Sequence, residues 1–479
     1  MSQGFHNPYT FIPLVDRSRL GGSPLGDRPP LGHARHVPEA WNGRLHVLLS
    51  VHTPLLLLDP ARATRDRSGH QTYPVRLDAA GRPYLAPSSL KGMLRSAYEA
   101  ITNSRLGVFW GREPLKVGGQ LSRRSPRDLL EAPLPSLLPA ARLEKLSPAD
   151  RVFGWVAESR SEREAEAAHR GQLRLGPVRW LEGAAVTFPE PVPLAILSSP
   201  KPNQVRFYLG DLVQGRSRAQ RNGRGDAEAG YDAKEGEDQA RRTLRGRKVY
   251  PHHAALEGRE GHWQEPWAAP WSTPLRGLYR EYLRPKGRRD DQNRSILGWV
   301  PPSARFAFEI QFWNLAAVEL GALIWLLELP EPCRLRLGAG KPLGFGSVRL
   351  QLRREASSVV TGEEVAERYR GLRATEPQPD PQRLERLVRT FKREVRRAYA
   401  GPDRAEFEQV PFIAAFLAVA KGKPGPIHYP RLQEPPDPEG KSFRWFQANA
   451  RGGRWALPEA TSSDLLPYQP DRRYSKPSR

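Results

Sequence analysis

One cysteine, Cys333, stands alone among 479 residues. That excludes an internal disulfide framework and any zinc site built from several thiolates, and leaves Cys333 the role of a small core residue. Long apolar runs are also missing. No stretch reaches the roughly 18 residues a membrane helix needs, and no basic segment leads into an apolar signal core, so the reading is a soluble, cytoplasmic protein with no membrane partner. Acidic residues are short: 52 Asp and Glu against 75 Lys and Arg leave a formal charge of +23. A charge of that sign favours polyanions, nucleic acid first among them. Among eleven histidines there is the pair His252-His253 but no HExxH or Cys/His spacing, and no GxSxG elbow. No metal site and no cofactor are expected.

The patterning that is present divides the chain into three parts. Residues 1–40, rich in Pro, Gly and Arg, read as an extended N-terminal arm. Residues 41–352 alternate strand and helix signals. Leu45, Val47, Leu49 and Val51 interleave with Arg44, His46, Leu48 and Ser50 as a half-buried strand, and Phe306 to Phe312 alternate in the same way. Asn314 is placed to cap an apolar helix ending at Pro330. A stretch at about 210–247, with scarcely any large apolar residues, reads as a mobile basic insertion. Residues 353–479 form a helical extension and Pro-rich tail. In it, Pro381 to Tyr399 predicts an amphipathic helix, with Leu384, Leu387, Val388, Phe391 and Val395 inside and a row of arginines outside; that row either touches nucleic acid or is simply solvated.

Two segments carry chemistry. At Pro87-Ser88-Ser89-Leu90-Lys91 the pattern turns helical, with Ser88 or Ser89 a natural cap and Lys91 and Arg95 one turn apart. Serine hydroxyls, orphan backbone N–H groups and two cations in one turn suit a phosphate; an ordinary capped helix is the alternative. The second segment, Leu337 to Leu350, holds Gly338, Gly340, Lys341, Gly344, Phe345 and Gly346. A dinucleotide loop must lead from strand to helix, and a P-loop needs Ser or Thr after Gly-Lys. Here a strand-like Ser347-Val348-Arg349-Leu350 follows, and Pro342 comes after Lys341. Both nucleotide readings fail. What remains is a backbone able to approach a polyanion, with Lys341 as a point charge and Phe345 as an anchor or stacking platform.

These pieces, in this order, resemble the RAMP superfamily of CRISPR-associated proteins. Pro87-Ser88-Ser89-Leu90-Lys91-Gly92 is similar to the family's helix start, Asp150-Arg151-Val152-Phe153-Gly154 to its short "LFG" element, and Leu337 to Val348 to its glycine-rich loop. Asn7 to Phe11, Leu197 to Pro202, Gly246-Arg247-Lys248 with His252-His253, and Asn314 to Gly321 look like one long, heavily inserted subfamily. The resemblance implies an α+β, ferredoxin-like (RRM-like) core with large insertions and a C-terminal helical extension. It implies that Ser88, Ser89, Lys91, Arg95 and the loop around Lys341 hold guide CRISPR RNA for pairing with target RNA. The chain would do so beside other RAMP subunits and the large signalling subunit of a type III effector complex. Target-cleaving subunits of this kind carry a loop aspartate where the best register here places Thr72. Asp66, in the charged loop Asp59 to Thr72, would have to replace it, with a divalent ion such as magnesium. An RNA-holding subunit is therefore the first reading and a target-RNA endoribonuclease the second. A guide-processing enzyme using His46, His52 or His70 and a general RNA-binding protein remain behind them.

Overall fold

Alternation along one strand organises the molecule. In β1 (Trp41–Val51), Leu45, Val47, Leu49 and Val51 are buried while the residues between them are not, so one face seeks a core and the other does not. Its antiparallel partner β4 (Arg305–Leu315) matches it side chain for side chain, with Phe306 opposite Leu49, Phe308 opposite Val47 and Ile310 opposite Leu45. On the other flank lies β6 (Ser347–Leu352), with Leu350 opposite Leu49. Strands β2 (Leu173–Leu175) and β3 (Arg179–Glu182) pair with β4, β5 (Leu335–Arg336) with β6, and β7 (Ser358–Thr361) with the start of β1. This computed structural model describes all residues except 1–3, 108, 110, 118–119, 123, 158–166, 198–203, 220–230, 232–240, 264–270, 372–376, 401–404, 441 and 472–479.

Helix α1 (Pro87–Ile101) follows β1, and α2 (Ala317–Leu327) follows β4. The chain order strand, helix, two strands, helix, strand, with β6 and β4 flanking β1, is the ferredoxin-like arrangement. The fold is α+β as read, its insertions falling between these elements. Both helices pack on the buried sheet face, and the Tyr98 hydroxyl donates to the Glu319 carbonyl at 2.9 Å to tie them. Further helices follow, among them α3 (Gly362–Arg370), α4 (Pro381–Tyr399) and α5 (Pro411–Lys421). Leu384, Leu387, Phe391 and Val395 of α4 and Phe412, Ile413 and Phe416 of α5 join the same apolar cluster as the sheet. Cys333 lies in that cluster, and burial pushes its thiol up.

Several local expectations change. Asn314 does not cap α2: it ends β4 with φ 48°, and its side chain holds Gly32, Arg35 and Val37 at 2.8–3.0 Å. The Glu319 carboxylate accepts the Ala316 N–H instead, at 3.0 Å. Phe5 to Ile12, read as part of an extended arm, lie on the body: Thr10–Ile12 pairs with Arg247–Val249, and Phe5, Tyr9 and Phe11 share a cluster with Trp445 and Leu466. The ends of the insertion expected at about 210–247 are strands, because Leu209, Leu212 and Leu244 find apolar partners in a small sheet of Leu209–Val213, Arg216–Ala219 and Arg242–Leu244. Residues 220–230 and 232–240 of that insertion, and Ser198 to Pro202, fall outside the described residues, while Tyr231 between them is buried against Leu209.

Candidate nucleic-acid interface

Helix α1 starts on Pro87 with no side-chain cap, Ala86 occupying the cap position. Ser88 and Ser89, expected as caps, therefore stand exposed in the first turn with their hydroxyls unspent. They form one wall of a cleft of about 500 Å³ with Gly92 and Ser96; Arg334, Arg336, Gly338 and Lys341 of the β5–β6 hairpin and Lys248 and Tyr250 form the others. The helix start and the glycine-rich loop thus meet across one groove.

The hairpin confirms that the loop joins two strands: β5 and β6 pair antiparallel, with one 3-10 turn, Lys341–Leu343, between them. All four of its glycines have positive φ. A Cβ on Gly346 would sit 1.8 Å from the Leu337 carbonyl oxygen, and one on Gly340 would press into the Phe345 ring at 2.8 Å. The glycines are needed to fold the loop on the protein itself rather than to admit a polyanion. Phe345 is 0% exposed, packed among Trp263, Tyr282 and Trp299. It anchors the loop and stacks no base. Tyr250, half-buried in the cleft wall, is the aromatic available there.

Charge in the cleft is uneven. Arg334 is neutralised by Glu257 and Glu331 at 2.6 and 2.5 Å. Arg336 donates to the Ser347 hydroxyl and, at 2.7 Å, to the Lys341 carbonyl; its Nε has no partner, and burial pulls the guanidinium down to about 9. Lys341 is lowered by burial and by Arg336. Lys248 points over the Tyr9 ring at 4.1 Å and donates to the Tyr208 hydroxyl at 3.0 Å. Among the described residues no carboxylate pairs with Arg336, Lys341 or Lys248. Cations left without counter-charge in a partly dry groove suit a bound anion. Lys91 and Arg95 do not line the cleft. Arg95 is taken by Glu99 at 2.9 Å, the Gly154 carbonyl at 2.8 Å and Asp150 at 3.4 Å, and burial, Arg95 and Arg170 lower Lys91.

A profile of the RAMP superfamily matches residues 48–349, more than half of the chain. The chain belongs to the RAMP superfamily. No curated protein matches it. Among solved structures it is similar to a chain of a Type IV-B CRISPR complex, with 14% identity and TM-score 0.26 over 70% of this chain and 95% of that one. It is also similar to Csc2 from Thermofilum pendens, with 12% identity and TM-score 0.25 over 79% and 87% respectively.

In this RAMP protein the loop Asp59 to Thr72 folds into a hairpin, Thr64–Arg65 pairing with Gln71–Tyr73. The Asp66 carboxylate closes its turn, accepting from the Ser68 hydroxyl at 2.7 Å and from the Ser68 and His70 N–H groups at 2.9 and 3.1 Å. These bonds, the Ser68 hydroxyl foremost, hold Asp66 below the usual carboxylate range. The donor set does not fit a divalent ion: among the described residues no three His, Cys, Asp or Glu side chains converge as metal ligands. Asp66→Ala is expected to quicken amide exchange at Ser68 and His70 and to leave RNA cleavage by the assembled complex unchanged; loss of one product band would reinstate Asp66 as catalytic. Both ring nitrogens of His70 are engaged, at Asp290 O and Ser295 Oγ, and His52 is held by Glu257 at 2.7 Å. The arginine row of α4 is largely paired: Arg383 with Glu364, Lys392 with Glu408, Arg396 with Glu406 and Arg397 with Glu394, all within 2.9 Å.

Arg336, Lys248 and Tyr250 are the cleft residues the sequence reading passed over. Arg334-Leu335-Arg336-Leu337 does hold a signal, since its alternation sends both arginines to one side of the strand.

Proposed function

We propose that this RAMP protein holds RNA by its sugar-phosphate backbone in the cleft between the start of α1 and the β5–β6 hairpin. One observation carries the reading: among the described residues, Arg336 and Lys341 face the cleft without a carboxylate, opposite Ser88 and Ser89 hydroxyls that have no partner there. Arg334, beside them, and most of the α4 row are paired with carboxylates. The uncompensated pair is therefore where an external anion gains most. The net charge of +23 supports the same partner. Membership of the RAMP superfamily, together with the order of the motifs that resemble it, supports a guide-RNA-binding subunit of a CRISPR effector. The finer placement, a type III backbone-type subunit beside other RAMP subunits, rests on the ordered motifs at Pro87–Arg95, Asp150–Gly154 and Leu337–Val348. Holding a backbone needs no cofactor, and base pairing supplies the sequence specificity.

Purified protein is expected to bind single-stranded RNAs of unrelated sequence with similar affinity. Log K should fall with log salt by about 0.7 for each phosphate neutralised, measured by fluorescence anisotropy. A flat salt response, or strong preference for one sequence, overturns the reading.

A further inference from the structure

We propose a second single-strand contact, on the uncovered face of the central sheet and the pocket at its end. It extends the RNA reading above and rests on it for the chemistry of the ligand. The core side of the sheet is covered by α1 and α2, while the other side carries cross-strand rows of polar residues. Arg174, Gln311, Arg44 and Ser358 stand in one row. Arg179, Ala307, Leu48 and Gln351 stand in another. Arg305 and Arg349 flank Ser50, each spent on a glutamate at 2.6 Å, Glu182 and Glu331. His46 faces Glu309 at 3.5 Å. Arg174 and Arg179 are exposed, and among the described residues neither has a carboxylate partner.

The row through Arg174 and Arg44 runs into a pocket of about 480 Å³ lined by His36, Arg44, Gln311, Trp313, Arg368 and Tyr369. Tyr369 of α3 is 75% exposed at this pocket, so its ring is open to stack on a ligand. Trp313 is half-buried across the same pocket. Arginines on a strand surface with a tyrosine and a tryptophan at its end supply phosphate pairing and base stacking, the two things sequence-tolerant single-strand binding uses. Within the strand rows the apolar side chains are Leu48 and Ala307, and the rest gather in the pocket with Trp313 and Val360, so the face is a charged row ending in an aromatic pocket and lacks a broad apolar docking core. Single-stranded RNA continuing beyond the cleft is the occupant the charge favours.

The test uses full-length protein and RNA carrying iodouridine, photo-cross-linked and mapped by mass spectrometry. Adducts are expected on Trp313 or Tyr369 as well as on Tyr250. In the variant Arg174→Glu/Arg179→Glu/Tyr369→Ala, a long strand should bind at least about tenfold more weakly, while a short oligonucleotide that fills only the Ser88–Lys341 cleft binds as before. Adducts confined to Tyr250, with the long strand unaffected, overturn this proposal and leave the cleft reading intact. Adducts on Tyr369 alone sustain it and overturn the cleft. A variant that binds RNA normally but recovers fewer protein subunits makes the face a protein interface and overturns it.

Discussion

Arg151→Met is expected to destabilise the protein by about 3–5 kcal/mol, the usual consequence of stranding one partner of a buried ion pair. Arg151 Nε meets Glu319 at 2.6 Å with both side chains 2% exposed. Its other nitrogens donate to Gly26, Leu146 and Pro24 carbonyls, so one guanidinium joins the N-terminal segment to the start of α2. Once it is gone, Glu319 keeps the Ala316 N–H at 3.0 Å and, as its cation, Arg28 at 3.2 Å and 35% exposed. The check is the urea midpoint as a function of pH. Burial alone would raise Glu319, but Arg151 and Arg28 outweigh it and hold the carboxylate below its ordinary value. A depressed folded pKa contributes stability that is present above the unfolded value, about 4.3, and is lost as pH falls through the folded one. In the variant burial is opposed only weakly, the carboxylate prefers its proton, and acidification relieves it. The deficit against the parent protein should therefore be largest near neutrality and shrink toward pH ~4. A deficit that does not change with pH would mean lost packing and not stranded charge. Arg151→Met with Glu319→Gln should recover part of the loss, since the amide oxygen still accepts the Ala316 N–H.

That residue shows what the sequence carried and what it did not. Asp150-Arg151-Val152-Phe153-Gly154 was legible as a motif, yet its partners lie far off in sequence at Glu319 and Gly26. Local patterning did place the elements whose signals are local. The strand about Leu45 to Val51 and the helix Pro381–Tyr399 follow from periods of two and of 3.6 residues. Non-local demands explain the misses. Asn314 looks like a cap and is recruited by the backbone at Gly32 to Val37. Phe345 looks like a loop aromatic and is buried by Trp263, Tyr282 and Trp299 from inserted segments. Lys91 and Arg95 share a helix face in any reading, and Glu99 stands one turn beyond Arg95, but only the fold brings Asp150 and the Gly154 carbonyl to the same guanidinium. The meeting of Ser88 with Lys341 across one cleft followed from family order and not from any property of either segment alone.

Lys341→Glu should weaken binding to single-stranded RNA by roughly a hundredfold, because it removes more than one charge from the cleft. The new carboxylate would stand beside Arg336, whose guanidinium has no counter-charge and already touches the Lys341 backbone; the two would pair and withdraw both cations from phosphate. Two charge-assisted contacts, each at the lower end of about 1.5–3 kcal/mol for a contact open to solvent, give a loss of that size. The slope of log K against log salt should fall by about 1.4, twice the single-strand value per phosphate. Lys392→Glu is the control that decides. It changes the net charge by the same amount, but the Lys392 ammonium is committed to Glu408 at 2.8 Å on α4, outside the cleft. Anisotropy titrations across salt should separate the two variants clearly. If both weaken binding equally, RNA is held by diffuse attraction to the net charge of +23, and the cleft has no special part in it. If only Lys341→Glu loses both affinity and slope, the anion site is the groove between Ser88 and the β5–β6 hairpin.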